Sequence, residues 1–174
     1  GSSELGGHVH IYYDLHTARA EREEFLRQAL ATADILVLEG DAAFQSLYDD
    51  VADGTLEPTE ALRRIQETPG VIIADQHEPT LRQELELLHR VRRERPELLI
   101  VVGPEIAEED TQRYQAAMHA LAESVNWFEA KEVDKALERL AHYLRSYGEY
   151  LRRLDEPFLR RVNGLRAEHP GKRI

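Results

Sequence analysis

The sequence predicts an α/β domain: a mostly parallel sheet of at least four strands, flanked by helices and followed by a helix-rich C-terminal half. Three observations carry this. Short apolar runs recur along the first hundred residues, helical patterns separate them, and an acid follows three of the four runs at once. Runs rich in Val, Ile and Leu with no alternation suit strands covered on both faces, as in parallel sheets. Strands alternating with helices imply βαβ units with right-handed crossovers.

The four expected strands are Val9–Tyr13, Ile35–Leu38, Val71–Ala74 and Leu98–Val102. Between the first two, Ala18–Ala33 places Phe25, Leu26, Ala29, Leu30 and Ala33 at helical spacing. After the second strand, Asp41 is a good N-cap for a helix over Ala42–Ala52, and Gly54 suits its end. Pro58 opens a short helix, since proline is favoured in the first turn. Thr80-Leu81-Arg82-Gln83 has the pattern of a capping box, starting a helix that stops before Pro96.

The second half, residues 107–168, reads as the helical part of one domain spanning 1–174. Ala107–Ser124 is one helix. A longer one covers Ala130–Leu154, where Val133, Leu137, Leu140, Leu144, Tyr147, Leu151 and Leu154 alternate by four and three. That seam either packs on a neighbour or pairs two copies as a homodimer. Gly148 within it costs about 1 kcal/mol relative to Ala. Asp155-Glu156-Pro157 is expected to end this helix and open another over Phe158–Glu168. Gly1-Ser2-Ser3 reads as an expression-tag remnant.

Composition narrows the chemistry. The chain has 174 residues and no Cys, which excludes disulfides, thiolate zinc and a Cys nucleophile. A metal site would draw on His and carboxylates, suiting a hard or borderline divalent ion. The net charge of −11 leaves no basic face for nucleic acid. No apolar run is long enough to span a membrane and no signal peptide is visible, so the expected setting is cytoplasmic. There is no Gly-rich phosphate loop and no Gly-x-Ser-x-Gly elbow, which disfavours dinucleotide binding and Ser hydrolysis. A metal-dependent amidohydrolase barrel would need about 250 residues.

Ligands of parallel sheets bind beyond the carboxyl ends of the strands, where the βα loops emerge. His10 lies in the first run, Glu39 follows the second, and Asp75, His77 and Glu78 follow the third. Breaking an apolar strand with a carboxylate is costly unless the charge is solvated, paired or used. Asp75 and His77 lie two apart and share a face if the strand continues, as do His8 and His10. The candidate metal ligands are therefore His10, Glu39, Asp75 and His77, with Glu39 or Glu78 as general base. Mn²⁺, Co²⁺ or Zn²⁺ are the ions considered.

Gly7-His8-Val9-His10 resembles the Gly-x-x-His motif of the TraB/Tiki superfamily, which includes erythromycin-esterase-like and ChaN-like proteins. Ala33–Glu39 resembles its helix-then-strand segment ending in Glu. The stretch from Pro157 to Ile174 resembles the late helix that leads into a further motif strand. The resemblance implies that His10 and Glu39 are the motif His and Glu. It implies hydrolysis of a peptide or ester bond, metal-dependent in Tiki-like members and by acid/base chemistry in the esterase branch. In ChaN-like members it implies haem binding instead. A peptide or small-molecule substrate, a non-enzymatic ligand or haem carrier, and a helical interaction module are thus the three functions to separate.

Overall fold

The computed structural model describes Val9, residues 19–71, Ile73, and residues 77–104 and 108–174. In order these form α1 (Arg19–Thr32), β1 (Ile35–Leu38), a 3₁₀ turn (Ala42–Phe44), α2 (Gln45–Asp53), α3 (Pro58–Gln66) and α4 (Glu78–Leu88). Then come α5 (Val91–Glu94), β2 (Leu99–Val102), α6 (Glu108–Glu129) and α7 (Val133–Glu168).

Among the described residues the protein is 72% helical and has two parallel strands, not the expected sheet of at least four. β1 and β2 pair in register from Ile35 opposite Leu99 to Leu38 opposite Val102. Of the expected strand at Val71–Ala74, Val71 and Ile73 are among the described residues, and neither is in a strand. Gly70 takes a left-handed φ of 83°. The Val71 N–H is then spent on the Thr68 carbonyl at 3.1 Å, closing a turn. Val71 and Ile73 still pack against the core, but as loop residues. Packing alone makes a run apolar, and only a ladder makes it a strand. The expected strand Val9–Tyr13 falls outside the described residues, apart from Val9.

Local signals fared better. Asp41 accepts the Ala43 N–H at 2.9 Å and caps the 3₁₀ turn that leads into α2. Gly54 ends α2 at φ 78°. A Cβ there would meet Arg90 Cγ at 2.6 Å, so both backbone and space call for glycine. Pro58 opens α3. Helix α4 instead begins at Glu78-Pro79, two residues ahead of the expected box, and Thr80 is buried inside it. Pro157 does not break α7, which runs through it to Glu168.

The chain divides into two compact units, Gly1–Gly103 with Val162–Ile174, and Pro104–Arg161. In the first, one sheet face turns Leu36, Leu38, Ile100 and Val102 into the main core, with residues of α1, α2, α3 and α4. The opposite face turns Ile35 and Val101 against Leu165 and Ile174. Both faces are therefore covered, which accounts for the continuous apolar runs. The sheet edges are also served. Gln45 Nε2 donates to the Ile100 carbonyl at 2.9 Å while its Oε1 accepts the Val102 N–H at 2.8 Å. One side-chain amide thus satisfies the outer edge of β2 as a strand would. At the amino end of β1, the Asp34 and Ile35 N–H groups donate to the Arg173 carbonyl. Asp34 Oδ2 accepts the Arg173 N–H at 2.9 Å. The Arg173 guanidinium and N–H hold the Asp34 carboxyl below its usual range.

In the second unit, Ala117, Ala120 and Ser124 of α6 and Ala136 of α7 are buried. Ser124 Oγ donates to the Ala136 carbonyl at 2.9 Å. Tyr114 lies 5.3 Å from Tyr150 and 6.4 Å from Tyr147, centroid to centroid. Between the helices, Lys131 takes φ 63° while Glu132 N–H donates back to the Trp127 carbonyl at 2.9 Å. That is a left-handed helix stop without glycine.

On α3, Glu60 accepts from Arg63 and Arg64. Arg63 first and Arg64 second pull the Glu60 carboxyl down from 4.5 to about 2. A depressed carboxyl stabilises the fold above its unfolded value and loses that contribution as pH falls through the folded one. Carboxyl ¹³C titration should therefore find Glu60 ionised through the 4.5-to-2 window in the folded protein. A midpoint near 4.5 would mean the two arginines do not hold it.

Candidate functional site

The carboxyl end of β1 is built by opposing demands. Ile35, Leu36 and Leu38 are buried, yet the next residue, Glu39, is exposed. Gly40 follows, where a Cβ would press to 3.1 Å from Val102 Cγ1, so the turn passes tightly over β2. Asp41 then caps the helical segment with its own carboxylate. Glu39 is left as the solvent-facing acid of this turn, at the sheet edge where ligands of parallel strands bind.

The remaining candidates are placed unevenly. His10 and Asp75 lie outside the described residues. His77 is half-buried just ahead of α4, and its carbonyl accepts the Leu81 N–H at 3.0 Å. Glu78 is the first residue of α4, where a negative charge suits the helix dipole. Its Oε1 accepts from Arg82 at 2.7 Å and its Oε2 from Gln66 at 3.2 Å. Both Glu78 oxygens are thus engaged by neighbouring helix residues. Among the described residues, no three His, Asp or Glu side chains stand together in a metal-binding group. The described part supplies one exposed carboxylate toward such a site, and the other ligands named above would have to complete it.

Sequence reasoning passed over a buried polar cluster. Glu84 and Tyr48 are 6% and 5% exposed. Tyr48 donates its hydroxyl to Glu84 Oε1 at 2.8 Å, and Arg22 Nη2 donates to Glu84 Oε2 at 2.5 Å. Arg22 Nη1 also reaches the Thr80 carbonyl at 3.3 Å. Burial first, then the adjacent Glu84 charge, push the Tyr48 phenol well above its usual range. It therefore serves as a neutral donor. The only local signal was an acid on the apolar face of α4, between Leu81 and Leu88.

An open cleft of about 260 Å³ is lined by Asn163, Arg166, His169 and Lys172 among others. It lies beside Arg173, hence near the amino end of β1 and away from Glu39. No helix among the described residues is long and apolar enough to cross a membrane. Comparison with protein families, curated proteins and solved structures finds no match.

Proposed function

We propose that the carboxyl edge of β1 and β2 is the working site of a hydrolase-like protein, with Glu39 as its central carboxylate. One placement supports this reading: Glu39 is exposed directly after a buried parallel strand. Solvated and held by a short turn, it can take a proton from water as that water's oxygen adds to a peptide or ester carbonyl. The same proton then goes to the departing amine or alcohol. The TraB/Tiki-like pattern would add His10 as the motif His. A divalent ion held by His10, Glu39, Asp75 and His77 would supply Lewis acidity and lower the pKa of a bound water.

Calorimetric titration with Mn²⁺, Co²⁺ and Zn²⁺, run beside Glu39→Gln, tests the metal-assisted form. The expected result is about one equivalent bound by the natural chain and lost in the variant, since the amide supplies no charge to the ion. Binding that survives Glu39→Gln would remove Glu39 from the site.

A second reading, self-association through α7, has an observation of its own. Leu137, Leu144 and Leu151 are 57%, 60% and 45% exposed, although they belong to the apolar seam. Spaced by seven, they fall in one stripe along the helix. Contiguous exposed apolar surface of this kind marks an interaction face.

A further inference from the structure

Resting on the self-association reading, we infer that α7 pairs with α7 of a second copy of this chain, antiparallel and centred on Leu144. The stripe of Leu137, Leu144 and Leu151 is symmetric about its middle residue, so reversing one helix sets Leu137 against Leu151 and Leu144 against itself. A two-fold contact needs this self-complementarity.

The flanks of the stripe decide the direction. On one side Ala136, Tyr147 and Tyr150 face α6, where Ser124 and Tyr114 meet them. On the other side, by helical spacing of 100° per residue, lie Asp134, Glu138, Arg145 and Arg152. All four are exposed. None has an ion-pair partner among the described residues, and Arg152 donates only to the Gly148 carbonyl of its own helix, at 3.4 Å. Among these four the acids lie toward the amino end and the arginines toward the carboxyl end, while Glu156 farther along the same flank already faces Arg160 of its own helix. An antiparallel two-fold brings like flanks together with their ends exchanged. Glu138 stands six residues before Leu144 and Arg152 eight after, so the two meet across the axis with an offset of about 3 Å. Asp134 reaches the same Arg152 from the other side. A parallel two-fold would turn this charged flank onto the partner's α6 side and leave the charges unmatched.

Gly148 points the same way. It borders the leucine stripe, and a Cβ there would meet nothing within 4 Å. The isolated chain therefore gives no packing reason for a glycine in mid-helix. Together with Ala141 it lowers the surface beside Leu144, letting a second helix approach closely.

Sedimentation equilibrium of the full chain tests the pairing. The natural sequence should be dimeric. Leu144→Glu, which places two carboxylates on the two-fold axis, should raise the dissociation constant about thirtyfold or more. Its helix content by circular dichroism should not change, because the leucine is exposed. Glu138→Arg and Arg152→Glu should each weaken the dimer about fivefold, and the two together in one chain should bind more tightly than Arg152→Glu alone, short of the natural chain because Asp134 then faces a glutamate. The chain has no Cys, so introduced thiols report register directly. Mixed Leu137→Cys and Leu151→Cys chains should cross-link to each other, and Leu137→Cys should not link to itself. A natural chain that sediments as a monomer overturns both the pairing and the self-association reading. A dimer in which the charge swap fails to rescue, or Leu137→Cys links to itself, overturns the antiparallel register alone.

Discussion

Replacing Glu84 with alanine should destabilise the first unit by about 3–5 kcal/mol, because it removes one partner of a buried ion pair and strands the other. Glu84 receives Arg22 from α1 and Tyr48 from α2, so one carboxylate joins three helices. Arg22 is 16% exposed and Glu84 8% by side chain, which leaves little water to replace the lost contact. Tyr48 would also keep a buried hydroxyl without its acceptor, itself a cost of about 1–3 kcal/mol. Glu84→Gln should cost less, since the amide oxygen still accepts from Tyr48. Tyr48→Phe should fall between the two. Urea denaturation of the single and double variants would show coupling between positions 48 and 84 of more than about 0.5 kcal/mol. A loss below about 1 kcal/mol for Glu84→Ala would mean that the network is solvated in solution. The same cluster sets an alkaline limit. The Tyr48 phenol is held above its ordinary value of 10.0, so the unfolded chain ionises first as pH rises. Stability should then fall above about 10, and Tyr48→Phe should lack that component.

This cluster marks where sequence reading ran out. Asp41, Gly54 and Pro58 were legible because each acts within a few residues of itself, by a cap, a left-handed turn or a fixed φ. β1 and β2 were legible because burial on both faces leaves no polar position in the run. Glu84 was not legible, because its partners are 36 and 62 residues away. The bond from Gln45 to β2 spans 55 residues, so a glutamine that completes a sheet edge looked like ordinary helix surface. Val71 and Ile73, the described residues of the expected third strand, misled for the opposite reason: their composition matched a strand, but the turn at Gly70 takes the Val71 donor and neither residue is in a ladder. At the candidate site Glu39 was legible from its place after a buried run. The engagement of Glu78 by Arg82 was open to reading at a spacing of four. Its bond to Gln66 of α3 was not.

Leu165→Ala should cost about 2–5 kcal/mol, the range for emptying a fully buried leucine site. Leu165 is 1% exposed and packs on Ile35 and Val101, one residue from each strand. The main core offers many neighbours that can shift toward a lost side chain. Among the described residues this second face has few, namely Leu165 with the part-buried Val37, Leu99 and Ile174. The cavity should therefore stay open, which puts the cost toward the upper end of the range. The loss should also reach Arg173, since Ile174 and the Asp34–Arg173 bonds hold the same end of β1. Amide hydrogen exchange at Ile35, whose N–H donates to the Arg173 carbonyl at 2.9 Å, should speed up more than exchange at Leu99, bonded to Asp34 within the ladder. Leu165→Met, which conserves volume, should cost less than about 1.5 kcal/mol and leave Ile35 protected. If Leu165→Ala lowers stability without changing the balance of exchange between Ile35 and Leu99, the helix end covers the sheet but does not hold the strand edge. If it costs under about 1 kcal/mol, that face is not a core, and the continuous apolar run of β1 needs another cause.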